Sequence, residues 1–451
     1  MNKGYKMSKR FSIITAVFLI SFLFSVSAFA MDDKEFIKLC ELGTIDEVKK
    51  AIANGANINA KNGDNKTPLM SAASHNPNPE IITELIKAGA DVNVKDKDGR
   101  TVLMNATWNM DPEVITELIR SGADVNAKDN NGKTVLMGAV DKVKKPNLEI
   151  IIKLIQAGAD VNAKTNIGRT ALMIVAFTNS NLKNSKPAII TELIKAGADV
   201  NAKDNNGDTA LMGAVDKVKK PNLEIIIKLI QAGADVNAKT NIGRTALMIV
   251  AFTNSNLKNS KPAIITELIK AGADVNAKDN NGDTALMGAV DKVKKPNLEI
   301  IIKLIQAGAD VNAKTNIGRT ALMIVAFTNS NLKNSKPAII TELIKVGADV
   351  NAKDKDGKTA LIMATWRNSN PEIITELIKV GADVNVKDKD GKTALIMATW
   401  RNLTPEIITE QLIKAGADLN AKDKDGNTAL DIAKQNNNTD AIEILTKAGA
   451  K

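Results

Sequence analysis

Residues 204–215 read Asp204-Asn205-Asn206-Gly207-Asp208-Thr209-Ala210-Leu211-Met212-Gly213-Ala214-Val215, and the same string returns at 279–290. It opens a block, Asp204 to Lys278, that recurs almost verbatim as Asp279 to Lys353 and is preceded by a near copy, Asp129 to Lys203. The first two copies differ at Lys133 against Asp208 and Val135 against Ala210, and the last two only at Ala271 against Val346. Each block splits in two, because Thr170-Ala171-Leu172-Met173 echoes Thr134-Val135-Leu136-Met137 and both halves end in Gly-Ala-Asp-Val-Asn. A period of this size marks a solenoid, in which each unit is too small to bury its own apolar face and must stack on its neighbours. Such near identity points to recent duplication, so a residue inside the copies is not marked as functional by being repeated.

The physics of one unit follows from its residues. The Thr that heads it can accept a hydrogen bond from a free N–H of the first helical turn. Pro68 follows that Thr in one unit, at a place where a missing N–H does no harm. A short helix comes next, as from Thr101 to Trp108, and then a loop. A second helix opens with Pro112-Glu113 or Pro371-Glu372, setting a carboxylate at the positive end of the helix dipole. Ile373, Ile374, Leu377 and Ile378 then make one apolar face, and Gly381 ends the helix by tolerating a left-handed cap. Asp388-Lys389-Asp390-Gly391 is a turn into the next unit. Each unit is therefore helix, turn, helix, hairpin.

The heading Thr stands at Thr67, Thr101, Thr134, Thr170, Thr209, Thr245, Thr284, Thr320, Thr359, Thr393 and Thr428, at intervals of 33 to 39 residues. With Gly-Ala-Asp-Val-Asn closing all but the last two of these units, the pattern resembles the ankyrin signature, T-P-L-H-x-A followed by a second helix and G-A-D-V-N. The segment from Asp32, with Phe36 to Thr44, Val48 to Ile52 and Gly55 to Asn59, resembles the first repeat of such an array. The resemblance implies an all-α repeat solenoid of ankyrin repeats, each a helix-turn-helix plus β-hairpin loop, in about twelve stacked units. It gives an N-terminal capping repeat at 31–65, internal repeats at 66–426 with the blocks 129–203, 204–278 and 279–353, and a C-terminal capping repeat at 427–451.

Three departures from that pattern carry information. The signature His is replaced by Met70, Met104, Met137, Met173, Met212, Met248, Met287 and Met323, then by Ile362, Ile396 and Asp431; buried thioethers suit a core stripe. Polar inserts, Asp141 to Asn147 in one half and Thr178 to Pro187 in the other, lengthen the units between their helices and belong on the surface. Asn65 stands where other units have Gly before the x-Thr pair, and Asn tolerates the left-handed region better than most residues.

Of the 451 residues, 44% are hydrophobic but only 3% aromatic, so the core is built of Ile, Leu, Val, Ala and Met. Residues 1–30 differ from the rest: Lys3, Lys6, Lys9 and Arg10, an apolar run from Phe11 to Phe24, then Ala28-Phe29-Ala30 as an A-x-A site. This reads as a signal peptide cleaved after Ala30, giving a periplasmic or secreted protein. The alternative is an uncleaved anchor, the only route to a membrane. Without the leader the charge is 57 basic against 51 acidic residues, too mild and too interspersed for nucleic acid. A single cysteine, Cys40, excludes an internal disulfide and reads as a buried, inert thiol.

Apparent motifs dissolve on inspection. Gly132-Lys133-Thr134, Gly357-Lys358-Thr359 and Gly391-Lys392-Thr393 lack the upstream glycine of a phosphate loop, where Ala127, Ala352 and Val386 stand instead. Asp96-Lys97-Asp98-Gly99 lacks the first and last ligands of a calcium loop, having Val94 and Asn105 there. One histidine, His75, and one cysteine leave no convergent catalytic site, so no enzyme activity, cofactor, metal or small-molecule substrate is expected.

The resemblance implies that partners bind the concave face through the residue before the signature Thr, the residues seven and eight after it, and the hairpin tips. Carried over, these positions pair Arg100 with Trp108, Arg169 with Phe177, Arg244 with Phe252, Arg319 with Phe327, Lys358 with Trp366, and Lys392 with Trp400. The intervening units carry Lys133 with Asp141, Asp208 with Asp216, and Asp283 with Asp291. Trp and Arg are favoured interface anchors, which makes the first set the candidate protein-binding residues; rings that merely pack over the end of the first helix are the structural alternative. The expected role is a monomeric, non-catalytic scaffold for a protein partner. A structural or stress-protective envelope protein and an effector delivered to host cells remain open as alternatives.

Overall fold

A computed structural model describes residues 31–109, 111–141, 147–178, 185–216, 222–253, 261–291, 298–327, 336–367, 371–401 and 405–451. The leader at 1–30 and the middles of the polar inserts lie outside the described residues. The chain divides into two compact units: residues 1–174 with 195–198, and residues 175–194 with 199–451. Among the described residues there are α-helices and no strand.

In the first unit the helices come in pairs: Asp33–Leu42 with Ile45–Ala53, Pro68–His75 with Glu80–Lys87, Val102–Ala106 with Pro112–Arg120, and Val135–Val140 with Leu148–Gln156. First helix packs on first helix and second on second from one repeat to the next. The second unit builds seven further pairs in the same way, from Ala210–Asp216 with Leu223–Gln231 to Ala429–Gln435 with Thr439–Lys447. The helix Ala171–Phe177 is shared between the two units.

The heading threonines act as the sequence requires. Thr67 accepts a hydrogen bond from the Met70 N–H at 3.3 Å, and Thr245 from the Met248 N–H at 3.4 Å, each on the edge of its own helix. Their hydroxyls are buried, so this N–H could not turn to water instead. The methionines at the lost His position are core: Met70 is fully buried and Met137, Met173, Met212, Met248, Met287 and Met323 are each 1% exposed. Met212 adds a weak polar contact, its sulfur accepting from the Thr209 N–H at 3.4 Å. Asp431 takes over that position in the last repeat by accepting from both the N–H and the hydroxyl of Thr428, at 2.9 and 2.8 Å. These bonds hold its carboxyl below the usual carboxylate range.

The hairpin loops are realised as tight turns, with a single antiparallel bridge between Lys95 and Thr101 among the described residues. The turn at Asp204 shows why no ladder extends from it. The Asp204 carboxylate accepts from the Asn206 and Asp208 N–H groups at 2.9 and 3.0 Å, and the Gly207 N–H closes on the Asp204 carbonyl at 2.9 Å. The Asn206 carbonyl instead accepts from the Asn241 N–H of the next turn, at 2.8 Å. Gly207 is required twice over: its φ is +77°, and a Cβ there would stand 2.8 Å from Asn241 N. Asn65, with φ 59°, occupies the left-handed region expected of it.

Two ladders fix the stacking register. The Asn of Gly-Ala-Asp-Val-Asn reaches forward one repeat: Asn237 Nδ2 donates to the Gly272 carbonyl at 3.0 Å while its Oδ1 accepts from the Asp274 N–H at 2.7 Å. In the first unit Asn93 does the same with Gly122 and Asp124, at 3.0 and 2.9 Å. Beside it, Lys239 Nζ donates to the Lys278 carbonyl and Lys278 Nζ to the Lys314 carbonyl, both at 3.0 Å. Both bonds of each Asn thus go to the same following repeat, whereas the lysine position accepts from the repeat before and donates to the one after.

The polar inserts are pinned where they rejoin the fold. Lys186 and Lys261 are each 8% exposed and donate to the carbonyls of Thr178 and Thr253 at the ends of the preceding helices. Burial pushes both ammonium groups below the usual lysine value. Cys40 is fully buried, and burial pushes its thiol from 9.0 up to about 12.

Candidate protein-binding face

The residue before the heading Thr stands just ahead of the first helix, whose N-cap is the Thr itself, and the residue seven after it stands at the end of that helix, as Arg244 and Phe252 do. A long cationic side chain can reach along the helix to that ring, and among the described residues of the second unit four such pairs are seen. The Arg244 guanidinium carbon lies 4.6 Å from the Phe252 ring centroid and that of Arg319 lies 4.8 Å from Phe327. Lys358 Nζ stands 5.0 Å from Trp366 and Lys392 Nζ 4.1 Å from Trp400. All four lie within the range where a cation is drawn to the ring quadrupole.

The same two positions make different chemistry in the other half-repeats. In the first unit Lys133 Nζ and Asp141 Oδ2 form a 2.9 Å salt bridge. The later copies put Asp208 and Asp283 in place of that lysine, so the two positions now hold the carboxylate pairs Asp208 with Asp216 and Asp283 with Asp291. Asp283 and Asp291 line a cleft of about 330 Å³ whose other wall carries Arg319 and Phe327. Ile317, Ile324, Asn281, Asn316 and Thr315 complete the lining. The cleft joins candidate positions of two successive repeats, so its walls are of opposite charge.

The rings differ in what they touch. Phe177 and Phe252 seat against Gly213 and Gly288 of the following first helix, so closely that a Cβ on either glycine would stand 2.3 or 2.2 Å from a ring carbon. These two rings are half-buried packing elements as well as members of the predicted face. Phe327 has no glycine to seat on and meets Trp366 instead, with centroids 5.8 Å apart and planes at 50°. Trp400 is 38% exposed and Trp108, in the first unit, 63%. Arg100, also in the first unit, pairs with Asp98 at 3.1 Å, and the Arg169 N–H is held by the Thr165 hydroxyl at 3.0 Å.

Near-identical sequence does not give identical partners. Arg244 Nε lies 3.5 Å from the buried carboxylate of Asp279, an ion pair without the geometry of a hydrogen bond. Arg319 Nε is buried with no hydrogen-bond acceptor among the described residues. Sequence reasoning also passed over Ile167, Ile242 and Ile317, which stand 54, 55 and 52% exposed on the turns. The available signal was an apolar residue between Asn and Gly where other turns carry Asn or Asp.

Comparison with known families gives a single answer along the chain. The family model for ankyrin repeats, in a three-copy form, matches residues 36–129, 69–165, 136–240, 215–315, 291–388 and 366–451. No curated protein matches the chain. The chain belongs to the ankyrin-repeat family, whose repeats generally mediate protein–protein interaction and whose members are typically non-catalytic.

Proposed function

We propose that this ankyrin-repeat chain is an exported, monomeric, non-catalytic scaffold. It holds a protein partner on the face made by its turns and first helices. The observation that carries the reading is the set of cation-on-ring pairs in the second unit, at Arg244, Arg319, Lys358 and Lys392. A ring with a cation on one side still offers apolar edges, and the cation keeps N–H groups for a partner's acceptors; interface anchors combine these two properties. The exported location rests on the leader at 1–30, with the mature chain starting at Met31. The mass of the purified periplasmic or secreted protein tests the cleavage directly.

Affinity capture from an envelope fraction tests the function, using the wild-type chain beside Trp400→Ala and Trp366→Ala. A stoichiometric partner that both variants lose, with melting curves nearly unchanged, supports the scaffold. Trp400 is the cleaner probe, because Trp366 also touches Phe327. A wild-type chain that captures nothing, or a tryptophan variant that binds fully, sinks the reading and favours a purely structural envelope protein.

A further inference from the structure

In the second unit the alternation of basic and acidic repeats stops at Thr320. From there three successive repeats carry a cation over a ring: Arg319 on Phe327, Lys358 on Trp366 and Lys392 on Trp400. The Phe327–Trp366 contact joins the first two pairs into one surface. On one side the strip ends at the carboxylates Asp283 and Asp291 across the cleft. The turns offset it only in the middle repeat, where Lys358 Nζ also pairs with Asp356 Oδ2 at 3.4 Å.

We infer that this strip binds an extended acidic segment of a protein partner, with a carboxylate at about every third residue. The inference rests on the proposed role of this face in protein binding and names the chemistry of what it holds. Two observations converge on it. The three groups held over the rings are all cations, with Lys358 alone shared with a carboxylate, Asp356, so a partner of opposite sign is favoured and a basic one repelled. The spacing also fits: packed helices lie about 8–10 Å apart, and a polyproline-type segment returns to the same face every three residues, after about 9 Å. Such a segment needs no hydrogen bonds of its own, and its apolar residues can lie on the exposed edges of Trp366 and Trp400.

The cleft adds a register. A fourth contact position, three residues beyond the carboxylate on Arg319, falls at Asp283 and Asp291 and calls for Lys or Arg. The segment that fits therefore reads basic-x-x-acidic-x-x-acidic-x-x-acidic, in one chain direction or the other.

The test is a fluorescence titration of the full chain carrying Trp108→Phe, so that only Trp366 and Trp400 report. The probes are synthetic peptides of about ten residues with one Lys and three Glu at every third position, made in both directions, and an isomer of the same composition with its glutamates adjacent. The spaced peptide, in one direction, should bind at least about tenfold more tightly than the clustered isomer, and weaken as salt screens the charges. Lys358→Glu with Lys392→Glu should lower the affinity about tenfold. Lys392→Gln, which changes least, should lower it less while leaving the melting curve in place. Equal binding of spaced and clustered peptides, tighter binding of a lysine-for-glutamate version, or a preference for single-stranded DNA overturns the inference. The same variants in the capture experiment separate the two readings. A native partner lost with Trp400→Ala but retained by the double charge reversal leaves the face as protein-binding and removes the acidic segment.

Discussion

Gly138→Ala and Gly213→Ala place one methyl group at the same point of two nearly identical helices, Val135–Val140 and Ala210–Asp216, yet they should shift stability in opposite directions. In a helix interior the change from Gly to Ala is worth about 1 kcal/mol in favour of folding. At Gly138 the new Cβ would meet only Thr107 Oγ1, at 3.9 Å, which is an ordinary contact. The substitution there should stabilise by about 0.5–1 kcal/mol. At Gly213 the new Cβ would stand 2.3 Å from Phe177 Cδ2 and 2.7 Å from Cγ, so the ring must move by more than an ångström. Overpacking of this kind costs about 1–3 kcal/mol, which outweighs the helical gain. Replacing the ring as well, in Phe177→Ala with Gly213→Ala, should relieve the clash and give a favourable coupling in a double-mutant cycle. A repeat array need not unfold in one step, so a local readout is required alongside urea denaturation. Hydrogen exchange followed by mass spectrometry supplies it, since the substituted peptide differs in mass from its otherwise identical copy at 279–303. If Gly213→Ala protects its helix as much as Gly138→Ala does, Phe177 is not seated on Gly213 and the packing argument fails.

Cys40 should resist thiol reagents in the folded protein at pH 8 and react fully in denaturant. Its folded thiol is raised to about 12, so the stability it contributes is complete below its ordinary value of 9.0 and is lost as pH climbs from there toward 12; rapid labelling of the native chain at pH 8 would contradict its burial. Asn237→Ala removes both the 3.0 Å bond to the Gly272 carbonyl and the 2.7 Å bond from the Asp274 N–H. It should cost about 1–2 kcal/mol and raise amide exchange at Asp274 selectively, an effect that exchange spread evenly over the chain would refute. Thr245→Ala should cost about 1 kcal/mol by uncapping the helix at Met248, with Thr245→Ser retaining most of it; equal loss in both variants, measured by chemical denaturation, would mean that the methyl group and not the hydroxyl matters.

The parts of this fold that could be read from the sequence are those a single unit decides. A Thr before an apolar run caps its own helix whatever stands beside it, and a Met in place of His either enters the core or does not. Asn65 was readable for the same reason, because its conformation is a property of its own turn. What could not be read depends on the neighbouring repeat. The pairing of Phe177 with Gly213 requires knowing that the seventh residue after one Thr faces the fourth after the next. Lys186 and Lys261 look like surface residues of a polar insert, and only the fold shows their ammonium groups buried against Thr178 and Thr253. The candidate face shows the same division. Its cation–ring pairs lie within one repeat and follow from the spacing, whereas the cleft and the tip residue Ile317 arise between repeats.

That dependence on the neighbour fits a block of two repeats as the repeated unit. In the Phe-bearing halves the fourth residue after the Thr is Ile174, Ile249 or Ile324, and in the others it is Gly138, Gly213 or Gly288. Phe177 and Phe252 each seat on a glycine of the repeat that follows, whereas Phe327 is followed by Met363, and each isoleucine follows a repeat with Asp and not Phe at the seventh position. Copying a single Phe-bearing repeat would drive Phe252 onto a branched side chain in place of Gly288, where even one added methyl group would lie 2.2 Å from the ring. Copying a single Asp-bearing repeat would leave a glycine slot with no ring in it. Only the pair carries both knob and hole, so insertion of a whole block reproduces every contact at both of its ends. The charge pattern of the face was carried along with that packing constraint, which is why the alternation at Asp208, Arg244, Asp283 and Arg319 needs no selection for binding. The strip from Arg319 to Trp400 is different in kind. Its last two repeats lie outside the duplicated blocks, bear tryptophan where the blocks bear phenylalanine, and have Met363 and Met397 at the fourth position. No knob-and-hole requirement accounts for their rings, which is the reason to look for the partner there first.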